Sequence, residues 1–150
     1  MEPSLPLTGG CLCRRVRYEV RAQPFAVTLC HCNICQTRTG SAFSMSMIVP
    51  REGFVLTEGK TVSRDLPGGS GSLSRQNFCD DCLVRTHSEP SAHANVINVR
   101  PGTLDDRSWL RPAGQIWTRS ARPWALQQGI LSCDENPTEP AAMARAFREM

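Results

Sequence analysis

Lysine is almost missing from this chain: Lys60 is the only one, and arginine supplies the rest of a basic total of 17 against 14 acidic residues. The net charge of +3 is spread along the chain. A nucleic-acid module would more often show a basic stripe or cluster, so no nucleic-acid partner is expected and most arginines read as a solvated surface. Small anionic substrates stay compatible, because a guanidinium grips a carboxylate with two parallel hydrogen bonds. No run approaches the roughly 18 apolar residues of a membrane span, which speaks against a membrane partner. The stretch 1–10 has no basic n-region leading into an apolar core, so no secretory signal is expected. The reading is therefore a soluble, cytoplasmic protein with reduced thiols. No internal repeat is visible, and Pro67-Gly68-Gly69-Ser70-Gly71-Ser72, the one low-complexity stretch, reads as a flexible loop tip.

What the chain has instead is cysteine, eight in 150 residues. In a reducing compartment such spacing reads as metal ligation rather than as a disulfide framework. Cys30-His31-Cys32-Asn33-Ile34-Cys35 packs three thiols and an imidazole into six residues, which no hydrophobic core requires. Three protein ligands with one open position is the usual plan of a catalytic zinc, so Cys30, Cys32 and Cys35 are expected to hold one. Cys11 and Cys13, with Cys79 and Cys82, make four more ligands, enough for a closed structural zinc. Two zincs per chain are expected, with Cys133 left over.

Hydrophobic content of 40% and charged content of 21% argue against disorder. The length fits one domain that buries about two thirds of its unfolded surface. Alternation over Arg15 to Val20 places Val16, Tyr18 and Val20 on one face of a half-buried strand. Just before it, Gly9 and Gly10 are expected to supply the unusual backbone angles of a tight metal loop. Phe25 to Leu29 reads as a strand delivering the chain to Cys30, and Asn33 to Gly40 as one or two helical turns capped by glycine, with amides aimed at the thiolates. Strands are expected over Ser41 to Val49, Phe54 to Thr57, Thr61 to Leu66, Val96 to Val99 and Gln115 to Thr118, while Ser74 to Phe78 leads the chain into Cys79. Glu58-Gly59-Lys60 reads as a hairpin turn and the whole as an antiparallel meander. Trp109, Trp117 and Trp124 are expected in the core or lining a pocket, with the core favoured. Residues 1–131 form the expected domain, and 132–150 a tail whose Thr138 to Met150 suits a short amphipathic helix with Met143, Ala146 and Phe147 on one side.

The histidines carry weaker readings. His31 is expected to support the site or to lie on the surface rather than to ligate. His87 and His93 read as surface or loop residues, since neither has zinc-finger spacing to a cysteine pair. Gln36 and Ser41 suit either a polar contact within the site or capping the turn after Cys35.

Six blocks in order now carry a resemblance: Gly10-Cys11-x-Cys13, Cys30-His31-Cys32-x-x-Cys35-Gln36, Gly40-Ser41-Ala42-Phe43, Arg75-x-x-Phe78-Cys79-x-x-Cys82, Gly102-Thr103-Leu104-Asp105-Asp106 and Arg122-Pro123-Trp124. The chain resembles the glutathione-dependent formaldehyde-activating enzymes, which share their domain with centromere protein V. The resemblance spans roughly residues 9 to 126. It implies a mainly β, antiparallel fold of the tent type, with the same two zinc ligand sets. It implies a carbon-sulfur lyase acting on a thiol-aldehyde adduct, typically S-(hydroxymethyl)glutathione made from glutathione and formaldehyde. An open position among three thiolates suits a substrate thiol, which a zinc ion deprotonates near neutral pH. Two alternatives stand beside this: a non-catalytic zinc module that contacts protein or nucleic acid, and a redox relay, which lacks a thioredoxin-type βαβ context. One departure is that Leu83 follows the second Cys-x-x-Cys, where many members have glycine. If that residue must take positive φ, the cost is about 1 kcal/mol or more.

Overall fold

The computed structural model describes residues 3–150. In chain order its strands are β1 (Leu7–Gly10), β2 (Arg17–Val20), β3 (Ala26–Cys30), β4 (Ser44–Pro50), β5 (Phe54–Glu58), β6 (Thr61–Pro67), β7 (Leu73–Cys79), β8 (Arg85–Pro90), β9 (Val96–Val99), β10 (Gly114–Ile116) and β11 (Leu131–Ser132). Helix α1 (Asn33–Thr39) lies between β3 and β4, and α2 (Pro140–Arg148) closes the chain. Strands β1, β2 and β5 form a small sheet, and the other eight run β11-β10-β3-β4-β9-β8-β7-β6. The fold is mainly β. Its ladders are antiparallel except where β10 pairs in parallel with β3 and β11.

The alternation read in β2 sets the core. Val16, Tyr18 and Val20 are at most 1% exposed; Tyr18 and Val20 meet Val27, Met47, Val49 and Val99 from the large sheet, while Val16 packs beside Cys11 and Cys79. The apolar layer thus lies between the two sheets, and each such side chain contributes on the order of 1.5–3 kcal/mol by leaving water. The Tyr18 hydroxyl finds Thr103 Oγ1 at 2.8 Å, so the buried ring leaves no polar group stranded.

Several expectations need correction. Gly9 and Gly10 sit in regular strand β1 and do not take positive φ; Arg14 does, at 67°. Glycine is required there by crowding: a Cβ at Gly10 would collide with the Val16 carbonyl, and one at Gly9 with the Tyr18 hydroxyl. Glu58-Gly59-Lys60 joins no hairpin, since β5 pairs with β2 and β6 with β7, so the turn passes the chain from one sheet to the other. Strands β1, β8 and β11 have no counterpart among the expected ones, and β7 takes up the segment that leads into Cys79. Strand β8, Arg-Thr-His-Ser-Glu-Pro, has no apolar alternation, yet it is an interior strand whose Thr86, His87 and Ser88 are buried.

At the C-terminus, α2 buries Met143 and packs Phe147 against the inter-sheet core. Met143 Sδ lies where a Cβ of Gly114 would stand, so the helix rests directly on β10.

Candidate functional site

The first cysteine group joins the two sheets. Cys11 and Cys13 follow β1 of the small sheet, and Cys79 ends β7 of the large one with Cys82 in the turn beyond it. Their sulfurs all lie within 4.8 Å of one another, with Cys11–Cys13 at 3.5 Å and Cys13–Cys79 at 3.6 Å. Thiolates around a tetrahedral zinc stand about 3.8 Å apart, given Zn–S bonds of about 2.3 Å. The Val16 amide donates to Cys11 Sγ at 3.3 Å, as suits an anionic sulfur. The four-thiol set can therefore hold a metal ion. Amide hydrogen bonds from the Cys13 and Val84 positions hold the Cys82 thiol below its usual range, whereas Cys13, although the Arg15 backbone pulls it down, is pushed up to about 12 by desolvation and by the other three sulfurs. Four adjacent thiols cannot all ionise without a cation between them. Leu83 closes this turn at φ 58°, so the left-handed backbone expected of glycine is kept with leucine in place.

The second group stands at the end of β3. Cys30 is the last residue of that strand, Cys32 caps the N-terminus of α1 and Cys35 lies in its first turn. Their three sulfurs also fall within 4.8 Å of one another. The Cys35 amide donates to Cys32 Sγ at 3.4 Å, and the Ser44 hydroxyl to Cys35 Sγ at 3.4 Å. Gly40 at φ 65° ends the helix as expected. Hydrogen bonding from Cys30, aided by Ser44 and nearby Arg100, holds the Cys35 thiol well below its usual range; the same Cys35 partner, with burial, pushes Cys30 up. Burial raises Cys32 as well. Among the described residues no further Cys, His, Asp or Glu joins this set, and Cys133 lies outside both groups.

Neighbouring residues hold the cluster in place. His31 is fully buried, not at the surface, with its ring edge-on to Phe43 at 5.5 Å. Gln115 Nε2 donates to Gln127 O and Ser132 Oγ, which leaves its Oε1 to accept from His31 Nε2 at 3.2 Å. That assignment puts the imidazole proton on Nε2 and leaves Nδ1 a buried acceptor without a partner. Gln36 donates its amide to His31 O and Ser120 O at 2.7 and 2.9 Å, so it ties α1 down and is not free to polarise a carbonyl. Ser41 is exposed, its amide donating to Thr39 Oγ1 in the turn after α1. The glycine-rich loop crosses the cluster, because a Cβ at Gly69 would stand 3.0 Å from Cys32 Sγ and 3.4 Å from the Trp117 ring.

Of the other singled-out residues, His93 is exposed in a turn as expected. His87 is not: it is 4% exposed on β8, packed on Phe54 at 4.4 Å and bonded through Nδ1 to Thr86 Oγ1 at 2.9 Å. Trp109 packs on the core, but Trp124 is 79% exposed and lines an open cavity of about 720 Å³ with Asn33, Gln36, Thr37 and Arg122. No cysteine lines that cavity; it follows the neighbouring stripe of α1. Sequence reasoning missed Arg85 and Arg100, which pairing of β8 and β9 brings to the thiol cluster; nothing local marks them among 17 basic residues.

A family model described as glutathione-dependent formaldehyde-activating enzyme matches residues 6–120. Among solved structures, a crystal structure of a Rhodobacter sphaeroides protein is similar, with 17% identity over 84% of this chain and 98% of that one and a TM-score of 0.54. At that identity the likeness bears on the fold.

Proposed function

Because this chain belongs to the glutathione-dependent formaldehyde-activating enzyme family, we propose that it is a zinc-dependent carbon-sulfur lyase that makes or breaks a thiol-aldehyde adduct, S-(hydroxymethyl)glutathione foremost. The observation that carries this reading is the three-sulfur group of Cys30, Cys32 and Cys35 beside a complete four-sulfur group in one small domain. A structural site has no need of a missing ligand. Cys11, Cys13, Cys79 and Cys82 would hold the structural zinc, and Cys30, Cys32 and Cys35 the catalytic one. When bound, zinc supplies a Lewis acid that favours the thiolate form of a thiol in the open position.

The residues around it define the rest. In the forward direction the thiol sulfur adds to the aldehyde carbon, the C=O π bond opens, and the thiol proton ends on the new hydroxyl. In reverse the C–S bond breaks and the sulfur leaves with the electron pair. Ser44 and the Cys35 amide donate to the cluster's sulfurs and hold their lone pairs in fixed directions. Gln36 and Gln115 fix the backbone and imidazole between the ligands, so the cluster keeps its geometry through the cycle. The loop at Gly69 limits water on the Cys32 side.

Exchange NMR on glutathione and formaldehyde tests this by comparing adduct formation and breakdown with and without zinc-loaded protein. Acceleration by the wild type that vanishes in a folded Cys35→Ala variant is the expected result. An active, folded Cys35→Ala protein would sink the mechanism, and an inert wild type carrying two zincs would remove this substrate pair.

A further inference from the structure

Carboxylates pair with seven arginines of this chain, six of them more than 40% exposed as side chains. Arg38, Arg85 and Arg100 are half-buried, and none of them has such a partner among the described residues. The remaining unpaired arginines are exposed, where water serves them. A guanidinium withdrawn from water without an anion is costly, so three together need an explanation.

Their place supplies one. Arg100 Nη1 donates to Ser46 Oγ at 2.9 Å and, more loosely, to Ser44 Oγ at 3.3 Å and Met45 O at 3.4 Å, while Nη2 reaches Ser88 Oγ at 3.4 Å. Its Nε is buried with no partner at all. Arg85 spends one hydrogen bond, from Nη1 to Gln76 Oε1 at 2.7 Å. Arg38, on α1, donates to Pro67 O at the start of the glycine-rich loop. Ser44 joins this group to the cysteines, because the hydroxyl that accepts from Arg100 is the one that donates to Cys35 Sγ. Burial pulls both interior guanidiniums down, Arg100 to about 10 and Arg85, which also feels Arg100 and Arg38, to about 9; both remain cations at neutral pH. Three thiolates around a divalent ion carry one net negative charge, which leaves two of the three positive charges unanswered.

We propose that Arg85 and Arg100, with Arg38 at the rim, bind a carboxylate of the substrate thiol, so that this site selects acidic thiols over neutral ones. The inference rests on the reading of Cys30, Cys32 and Cys35 as a thiol site. A guanidinium fork matches a carboxylate in two-point geometry and suits this role better than a point charge. The hydroxyl shared by Arg100 and Cys35 puts the carboxylate only a few bonds from the reacting sulfur. A neutral thiol at the same place would leave the arginines as they are, with no gain from their charge. These residues position the substrate and take no part in bond making.

Calorimetric titration of the zinc-loaded full chain with 3-mercaptopropionate and with 3-mercapto-1-propanol tests this, since the two differ only at the end away from sulfur. The acid should bind about tenfold more tightly or better, the scale of a charge-assisted hydrogen-bond pair. In Arg85→Gln that ratio should fall below about threefold with the alcohol's Kd unchanged, and Arg85→Lys should restore part of it. A loss of folding would weaken both ligands alike and leave the ratio, so the ratio separates recognition from structure. Arg85 carries the test because Arg100 is tied to two strands by its serine contacts. Equal Kd values for acid and alcohol on the wild type, or a ratio unmoved in an Arg85→Gln protein whose alcohol Kd is also unchanged, would overturn the subsite and leave the thiol reading intact. Arginine-dependent binding of thiol-free glutarate, with neither thiol bound more tightly than its sulfur-free counterpart, would uphold the subsite and overturn the thiol reading.

Discussion

Leu83 holds φ 58° in the turn between Cys79 and Val84, with its side chain 70% exposed, so its strain is not offset by burial. The left-handed backbone costs a leucine about 1–2 kcal/mol. Leu83→Gly removes that cost and gives back about 0.5–1 kcal/mol through the freer unfolded chain. The net is a gain of about 0.5–1 kcal/mol, a rise in Tm of roughly 1–4 °C for a chain of this size, measurable by calorimetry of the metal-loaded protein. A fall in Tm would mean that the leucine makes a contact worth more than its strain. This position shows what one residue can reveal from sequence, since a knuckle closing on its own cysteines demands its backbone angle locally. Arg100 shows the opposite. Its partners Ser44, Ser46 and Ser88 lie on β4 and β8, and only the strand order β4-β9-β8 brings them together. Without that order, a buried arginine and a surface one look alike.

Among the elements that the pattern does not announce, β8 is hidden for a physical reason: an interior strand covered by polar side chains shows no hydrophobic period. Strand β2 was legible for the converse reason: one of its faces meets the core and the other does not. Buried on β8, His87 has consequences for stability. Burial lowers its pKa to about 4, against an ordinary value of 6.5, while Glu89 opposes the shift and Arg51 adds to it. The unfolded chain then binds the proton more strongly, so the stability His87 confers is complete above pH 6.5 and is lost as pH falls toward 4. Between pH 7.5 and 5 the loss is about 2 kcal/mol. His87→Gln should flatten the fall in unfolding free energy over that window relative to wild type, and parallel curves would refute the assignment. Helix α2 offers a simpler case. Met143 is 4% exposed and rests on Gly114, so Met143→Ala should cost about 2–3 kcal/mol in denaturant unfolding, whereas a helix that merely frays would show less than about 0.5 kcal/mol.

At the scale of the molecule, the two cysteine groups differ in what they connect, and the difference predicts what each does when its metal is removed. Cys11 and Cys13 belong to the small sheet, and Cys79 and Cys82 to the large one, so an ion held by all four would link the two layers. Around them the apolar cluster is slight, Val16 with the two buried cysteines and Val84 beside them, so the ion would replace a core there. Cys30, Cys32 and Cys35 lie within six residues on β3 and α1, next to the continuous core between the sheets. An ion held there would close only a short loop, and closing a short loop adds little stability. Cys79→Ser should therefore lower Tm by about 10 °C or more with loss of one zinc per chain, since a structural site contributes its binding energy to folding. Cys32→Ser should lose one zinc as well, but with Tm within about 3 °C of wild type and no thiol binding. Metal analysis beside thermal melting of both variants separates the two roles. Equal loss of Tm in both would mean that the three-cysteine group also holds the fold together, and its open position would then need another explanation than chemistry on a thiol.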